Sequence, residues 1–255
     1  MILCKALGEG GGIRHAFFTR QGGVSDGYHA SLNCGYASGD RAEKVTQNRT
    51  IAMAMLGVTG DRLVTCRQIH SAVAVHVEEP QLDRIPTAAD GMATSRPGVV
   101  LGVLAADCAP LLLCDPAARV IGAAHAGWRG AFAGVAEATI AAMERLGAER
   151  SRLRVAIGPC IGPASYEVGP EFPLPFVARD PDAGMCFVPA PRAGHYLFDL
   201  ARYIELRLAA SGVTLVERSP HDTAAEPDLF FSYRRARLRG EEAFGLGLSA
   251  IVIDG

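Results

Sequence analysis

The amino-acid sequence predicts a sheet-based domain with a strand-rich core and three helices. Three short apolar runs follow one another closely, at Val99–Leu104, Leu111–Cys114 and Val120–Ala124, as expected of buried strands. Three other segments place apolar residues at helical spacing. No G-x-G-x-x-G motif follows a strand, so the sequence does not favour a Rossmann fold.

Further strands are predicted on both sides of these runs. They are Ile13–Arg20, Leu63–His70, Val73–Val77, Arg154–Ile157, Thr214–Glu217 and Leu246–Ile253. Two segments are predicted to be loops, Tyr28–Asp40 because it is rich in Gly, Asn and Ser, and Gly158–Pro163 because it is rich in Gly and Pro. A long loop within a domain is usually functional or poorly ordered.

The helices are predicted at Lys44–Leu56, Phe132–Leu146 and Leu197–Leu208, and each ends near a glycine. The first has one apolar face, formed by Val45, Ala52, Met55 and Leu56. The sequence contains no internal repeat, linker or low-complexity segment, so we expect one domain spanning residues 1–255.

Composition excludes several classes of function. The chain has 255 residues, a formal net charge of −2 and 20% charged residues, without a basic stripe for nucleic acid. A cluster of arginines, Arg234, Arg235, Arg237 and Arg239, indicates a solvated face or an anion pocket. No apolar run approaches the roughly 18 residues of a membrane span, and no signal peptide is recognisable. The seven cysteines are irregularly spaced, so we expect a cytoplasmic protein with reduced thiols.

Polar side chains at the predicted strand ends form a candidate site. Cys108 and His125 each follow apolar strands that are expected to be sheet neighbours, and His70 ends another predicted strand. A thiolate and two imidazoles with an open fourth position are typical of a catalytic zinc. The alternative is structural, with Cys108 a buried packing residue and the histidines capping strand ends.

A series of short motifs occurs in one order across nearly the full length. They are SLNCGYASGD, Asn48-Arg49, RQIHS, Ala89–Gly91, ADCAPLLLCD, AAHAGWRG, GPCIG followed by YEVG, and FFSYRR. Together they resemble the YfiH-like, laccase-domain family of zinc-binding purine nucleoside phosphorylases, once described as multicopper polyphenol oxidases. The resemblance implies a mixed α+β fold, with mixed or antiparallel sheets packed together and helices outside. It also implies that His70, Cys108 and His125 bind zinc.

The resemblance further implies phosphorolysis of adenosine, inosine, guanosine and S-methyl-5′-thioadenosine, and hydrolytic deamination of adenosine. The partners would be purine nucleosides and phosphate, and the protein a monomer or small homo-oligomer. Cys108 and His125 would be catalytic, and Asp107 would either shuttle protons or orient a ligand histidine. Trp128, the single tryptophan, would stack on the purine or anchor the core.

Four residues are candidates for binding substrate. Arg49 and Arg129 are suited to hold phosphate, and Arg129 follows the ligand His125 closely. Asn33 and Gln68 lie within the motifs and are candidates for contacts with the base or sugar. The chain departs from the family pattern at Asp222, where relatives often carry cysteine, and at Glu241, where an arginine is usual.

Two other enzymatic functions compete with the zinc enzyme. Cys and two His also form a copper site, as in a polyphenol oxidase, but oxidation of phenols by oxygen needs several coppers and more than the seven histidines present. A Cys-His hydrolase would use Cys108 as nucleophile and His125 as base. A non-enzymatic binding module gives no reason for the polar residues at strand ends.

Overall fold

The computed structural model describes residues 1–8, 12–79 and 86–255. The strands, numbered along the chain, are β1 Ile13–Phe17, β2 Leu63–Thr65, β3 Ala74–His76, β4 Gly91–Thr94, β5 Val100–Ala105, β6 Ala109–Asp115, β7 Val120–Ala126, β8 Arg154–Ile157, β9 Glu167–Val168, β10 Phe187–Pro189, β11 Tyr196–Phe198, β12 Leu215–Arg218 and β13 Gly247–Ile253. The helices are α1 Lys5–Gly8, α2 Ala42–Leu56, α3 Trp128–Ala133, α4 Val135–Glu144, α5 Pro173–Arg179, α6 Leu200–Ala210 and α7 Tyr233–Leu238. Each helix within these ranges is too short or too polar to span a bilayer.

Two larger sheets and one small sheet organise these strands. The four-stranded sheet has the order β1-β13-β5-β2, and the six-stranded sheet has the order β12-β8-β6-β7-β4-β3. Both are mixed, because β2 runs parallel to β5, β3 parallel to β4 and β12 parallel to β8, while the remaining pairs are antiparallel. The small antiparallel sheet is β10-β11-β9.

Successive side chains of a strand point to opposite faces of the sheet, so each central strand contributes to two layers of the core. On β6, Leu112 faces the four-stranded sheet and packs in the cluster that contains Leu101 and Ile251, whereas Leu111 and Leu113 face the helices α4 and α6. Helix α2 covers the outer face of the four-stranded sheet. Each fully buried large aliphatic side chain contributes roughly 1.5–3 kcal/mol. The mixed α+β class with packed sheets inside and helices outside is confirmed.

Several predicted elements are found with small changes at their ends. Strands are present at each predicted position, the segment Tyr28–Asp40 contains no regular strand or α-helix, and α2 ends at Gly57, whose φ of 78° is the left-handed conformation of a helix C-cap. The predicted face of α2 is wrong at Met55, which is exposed, because Asn48 and Met53 are buried instead.

Three predicted boundaries are wrong. The helix predicted at Phe132–Leu146 is interrupted by Gly134, whose φ of 103° separates α3 from α4. Leu197 lies in strand β11 and not in a helix, because Asp199 caps α6 by accepting a hydrogen bond from the Arg202 N–H.

The third boundary bears on the site. The strand predicted at Leu63–His70 ends at Thr65, so that His70 lies in a loop of residues 66–73. This loop, the His70 loop, joins β2 of the four-stranded sheet to β3 of the six-stranded sheet. The backbone of His70 has a φ of 59°, which a strand does not allow.

Candidate metal centre

One cluster of potential metal ligands is present among the described residues. The ligand atoms of His70, Cys108 and His125 all lie within 4.8 Å of one another. The Cys108 Sγ is 3.8 Å from the His70 Nε2, and the two imidazole rings are 4.8 Å apart at an interplanar angle of 78°. The structure therefore brings together the three residues that the sequence selects.

Sheet pairing places two of the three. Strands β6 and β7 are antiparallel, with Ala109 opposite Ala126 and Pro110 opposite His125. Cys108 directly precedes β6, so the start of β6 and the end of β7 carry the thiol and the imidazole to the same edge. The expectation that the strands preceding Cys108 and His125 are sheet neighbours is wrong, because β5 lies in the four-stranded sheet and β7 in the six-stranded sheet. The strand that follows Cys108, β6, is the one that pairs with β7.

The third residue is placed by the His70 loop. His70 is exposed, whereas His125 is buried. The non-glycine residues with positive φ in the described ranges are His70, Asp107 and Arg119, and two of these belong to or adjoin the cluster. Left-handed backbone costs a non-glycine residue about 1–2 kcal/mol, so strain is concentrated where the ligands meet.

Asp90 joins the loop to the sheet, and the sequence analysis assigned it no role. Its buried carboxylate accepts hydrogen bonds from the backbone N–H groups of Ile69, His70 and Ser71 at 3.2, 3.0 and 2.7 Å. It also accepts from the Ser71 hydroxyl at 2.8 Å and lies 2.9 Å from the His125 Nδ1. The Ala-Asp-Gly motif in the sequence is the signal that could have identified it.

Asp90 fixes the tautomer of His125. Burial acts to raise the pKa of Asp90, but hydrogen bonds from His125 and Ser71 hold it far below its usual range. An ionised carboxylate only accepts hydrogen bonds, so Nδ1 of His125 carries a proton and donates a hydrogen bond to Asp90. The His125 Nε2 is then the atom available to a metal, as in histidine ligands that are oriented by a carboxylate.

Electrostatics favour the thiolate at Cys108. Burial acts to raise its pKa, but the charge and hydrogen bond of His125 and the proximity of His70 lower the pKa to about 7. Burial acts to lower the pKa of His125, but the Cys108 thiolate and Asp90 raise it to about 9. Thiolate and imidazole donors with three protein ligands fit a tetrahedral zinc site with an open position.

Gly127 has no side chain, and the Cys108 and His70 side chains occupy the space that a Cβ would fill. A Cβ at this position would lie 2.8 Å from the Cys108 Sγ and 2.8 Å from the His70 Cδ2. The φ of Gly127 is −69°, which any residue adopts, so the requirement for glycine is one of space. Gly127 is thus a wall of the metal centre.

The hydrogen bonds of Asp107 go to the C-terminal segment, and Asp90 is the carboxylate that contacts His125. The buried Asp107 carboxylate accepts hydrogen bonds from the Thr223 hydroxyl at 2.7 Å and from the Arg234 N–H at 2.6 Å. Burial raises the pKa of Asp107, although the Arg234 and Thr223 hydrogen bonds act to lower it. Asp107 therefore ties the C-terminal segment to the metal centre.

Arg129 lies close to the cluster and Arg49 lies apart from it. The Arg129 guanidinium is exposed and sits 4.6 Å over the ring of Trp128, which itself packs 5.0 Å from Phe172. Arg49 donates to the Cys34 carbonyl at 2.8 Å and stacks 4.5 Å from the ring of Tyr36. It lines a separate cavity of about 710 Å³ between α2, β2 and β3.

Asn33 and Gln68 have their amides engaged by the protein. Asn33 is fully buried, donates to Ser38 and Asp40, and accepts from the N–H groups of Gly35 and Leu246. Gln68 donates to the Leu104 carbonyl at 2.7 Å and accepts from the Leu104 N–H at 2.8 Å, which extends the pairing beside β5.

The C-terminal departures from the family pattern have structural contacts. Asp222 accepts hydrogen bonds from the Ser165 hydroxyl at 2.6 Å and from the Ala224 N–H at 2.9 Å, which shapes the turn before Phe230. Glu241 lies 3.8 Å from the guanidinium of Arg239. Neither residue touches the metal ligands.

The remaining cysteines are held in the protonated thiol form. All six have their pKa raised by burial, to about 11 for Cys66 and to about 12 for the others, which are Cys4, Cys34, Cys114, Cys160 and Cys186. No disulfide is formed among the seven. Cys108 is therefore the one thiol with a lowered pKa.

Comparison with known proteins gives a consistent result. A sequence model of the family described as multi-copper polyphenol oxidoreductase laccase matches residues 14–254. A Pseudomonas aeruginosa protein named purine nucleoside phosphorylase is 37% identical over 231 residues, which cover 91% of both chains.

Solved structures share the fold over nearly the whole chain. YlmD from Geobacillus stearothermophilus has a TM-score of 0.89 at 31% identity, with 99% of this chain and 94% of YlmD covered. The Neisseria meningitidis protein NMB0706 has a TM-score of 0.85 at 37% identity, with 96% and 95% covered.

Proposed function

The chain belongs to the multi-copper polyphenol oxidoreductase laccase family, and we propose that it is a zinc-dependent purine nucleoside phosphorylase that also deaminates adenosine. The observation that carries the proposal is the convergence of His70, Cys108 and His125 within 4.8 Å. The name of the Pseudomonas aeruginosa relative supports phosphorolysis of nucleosides. The proposed substrates are adenosine, inosine, guanosine and S-methyl-5′-thioadenosine.

Zinc is the metal that we propose for the cluster. The His70 Nε2, the Cys108 Sγ and the His125 Nε2 would hold it, with Asp90 fixing the tautomer of His125. When bound, zinc supplies Lewis acidity, which polarises an oxygen-bearing reactant and favours its deprotonation near neutral pH. The donor set consists of two histidines and one cysteine. It lacks the axial methionine of a blue-copper centre and therefore suits zinc better.

Phosphorolysis requires an anion held against the ribose. A phosphate oxygen bonds to C1′, the C1′–N9 bond breaks with its electron pair leaving on the purine, and the proton of the phosphate ends on the purine. Arg129 is the proposed phosphate contact, because its exposed guanidinium lies two residues from Gly127, which touches two ligands. Arg49, Asn33 and Gln68 make hydrogen bonds within the protein, and their predicted contacts with substrate stay predictions.

Deamination replaces the 6-amino group of adenosine by an oxygen of water and releases ammonia. It needs a group that moves protons beside the reacting carbon. We propose Asp107, whose buried carboxylate directly precedes the ligand Cys108, as this group.

The position of His70 supports the zinc enzyme over a Cys-His hydrolase. A thiolate at Cys108 activated by His125 needs no third side chain, yet His70 lies 3.8 Å from the thiol. The other five histidines lie away from this cluster, and the described residues provide no second group of ligands for further coppers.

The test uses the purified protein with adenosine, with and without phosphate. Adenine and ribose 1-phosphate should form only with phosphate, and inosine should form in both. His70→Ala should retain the fold, lose most of the one zinc expected per chain by elemental analysis, and lose nearly all of both activities. A chelator should act in the same way on the unmodified protein.

One outcome would contradict the zinc mechanism. If His70→Ala stays active and resists the chelator while a thiol alkylator abolishes activity, Cys108 is a nucleophile. Several equivalents of copper would instead support a polyphenol oxidase.

A further inference from the structure

Two motifs, YEVG and FFSYRR, place side chains beside the metal centre that take no part in holding it. Asp107, which precedes the ligand Cys108, accepts a hydrogen bond from the backbone N–H of Arg234 at 2.6 Å. The Arg234 guanidinium lies 5.2 Å over the ring of Tyr166 and donates to the Glu167 carbonyl at 3.0 Å. Arg234 and Tyr166 are therefore held together one contact away from a ligand.

The contacts return to the metal centre on its other side. The ring centroids of Tyr166 and Phe172 are 6.4 Å apart, and those of Phe172 and Trp128 are 5.0 Å apart. Trp128 follows Gly127, the wall of the cluster, and carries the Arg129 guanidinium 4.6 Å over its ring. These contacts form a continuous path that leaves Cys108 through Asp107 and returns to it through Gly127. The path brings Arg129 and Arg234 to one side of the site, which we call its border.

The positive charges of this border are not neutralised by carboxylates of the described residues. In the ranges that the structure describes, neither Arg129 nor Arg234 forms an ion pair with a carboxylate, unlike Arg150, Arg207 and Arg218. The hydroxyl of Tyr166, which is half-buried, makes no hydrogen bond to that same part of the chain.

Arg235, the second arginine of FFSYRR, behaves differently. It is buried and donates to the carbonyls of Thr223, Ala224 and Phe230 at 2.6, 3.2 and 2.5 Å. Its guanidinium makes these three hydrogen bonds to backbone carbonyls, whereas that of Arg234 makes one, to Glu167. The sequence pattern of two adjacent arginines thus contains one structural residue and one available cation.

We propose that Tyr166 and Arg234, together with Arg129, form the binding subsite for inorganic phosphate next to the metal centre. The assignment of phosphate as co-substrate rests on the proposed phosphorolysis. Two guanidiniums and a phenol supply charged and neutral donors to a tetrahedral dianion, and arginine is well suited to contact its oxygens in pairs. On the His70 loop the exposed side chains Ile69 and Val73 are apolar and offer no such contact.

Side-chain variants at this border should not disturb its anchor. Asp107 holds the backbone N–H of residue 234, so Arg234→Gln keeps that hydrogen bond and removes only the cation. Tyr166→Phe keeps the ring that packs on Phe172 and removes only the hydroxyl. The matched control is Arg237→Gln, since Arg237 lies on the same helix and stacks 5.3 Å from the ring of Tyr233.

The experiment titrates inorganic phosphate into the metal-loaded protein by calorimetry and measures the KM for phosphate. Arg234→Gln should weaken phosphate binding roughly tenfold or more, because a hydrogen bond to a charged group is lost, and Arg234→Lys should recover part of it. Tyr166→Phe should weaken it about threefold. Arg237→Gln should match the wild type. Circular dichroism checks that each variant is folded.

The outcomes separate this subsite from the proposed function. If the wild type phosphorolyses adenosine and both variants bind phosphate as the wild type does, the subsite is wrong and the activity stands. If the wild type binds phosphate, Arg234→Gln weakens it and no phosphorolysis occurs, the subsite stands and the activity is wrong. If deamination falls as much as phosphate binding does, Arg234 has a general structural role and the proposal is overturned.

Discussion

The two halves of the metal centre are held by different kinds of structure. Cys108 and His125, the sheet half, sit at the edge of two paired strands, where the register between Pro110 and His125 sets their separation. His70, the loop half, is exposed on a connection between two sheets and has a left-handed backbone. The sheet half is fixed by many backbone hydrogen bonds, and the loop half depends on few.

Asp90 compensates for this difference. It accepts hydrogen bonds from three backbone N–H groups and one hydroxyl of the His70 loop, and it accepts one from the His125 Nδ1–H of the sheet half. One buried carboxylate therefore sets the distance between the halves. The position of a ligand on a loop is fixed as firmly as that of a ligand on a strand when one buried carboxylate hydrogen-bonds to both.

The largest effect should come from removing this link. Asp90→Ala leaves five donors without their acceptor, so we expect a loss of roughly 3–5 kcal/mol in the free energy of unfolding together with most of the bound metal. Urea unfolding and elemental analysis measure the two losses.

Asp115→Ala is the matched control for this variant. Asp115 is also fully buried and pairs with Arg152, but it lies outside the metal cluster. It should lose stability and keep its metal. Equal metal loss in both variants would show that Asp90 acts on overall stability and not on the ligands.

A smaller effect is expected at the wall between the halves. Gly127→Ala places a methyl group against both Cys108 and His70, so the loop half must move away from the sheet half. Metal affinity should fall by roughly 10–100-fold, as for other changes that displace ligands without removing them. Gly184→Ala, where no atom lies within 4 Å, should change nothing. Unchanged affinity in Gly127→Ala would mean that the loop adjusts freely.

The smallest effect is a dependence on pH in the metal-free protein. The folded pKa of Asp90 lies below its unfolded value of about 3.9, so its contribution to stability is complete above that value. It is lost as the pH falls through the folded pKa. The difference in unfolding free energy between the wild type and Asp90→Asn should shrink as the pH falls from about 5 to about 3. A difference that stays flat to pH 3 would contradict the assignment.

Sequence patterns predicted the sheet half more fully than the loop half. Apolar runs locate β6 and β7, and polar residues at their ends mark Cys108 and His125. His70 was selected as a ligand, but as the end of a strand. The positive φ of His70 comes from contacts to Asp90, which is 20 residues away in sequence, and no local pattern encodes them.

The roles of other polar residues could not be predicted because they depend on which hydrogen-bonding groups the tertiary fold places beside each side chain. Asn33 and Gln68 resemble substrate contacts in sequence, yet backbone groups of Leu246 and Leu104 engage their amides. Arg234 and Arg235 are identical in type and adjacent, and only the packing decides which one is buried. Helix α3 ends at Gly134 because its φ is positive, although the apolar spacing continues.

Because the pKa of Cys108 differs from that of the other thiols, a metal bound at the proposed site would shield the most reactive thiol. Cys108 has a pKa of about 7, while burial raises the pKa of the other six thiols to about 11 or 12. Thiolates are the species that oxidants and alkylators attack, so damage to the metal-free protein should begin at Cys108. A limiting amount of iodoacetamide followed by peptide mass spectrometry should find one labelled cysteine without zinc and none with it. Loss of the proposed metal would therefore open Cys108, one of its three ligands, to irreversible oxidation.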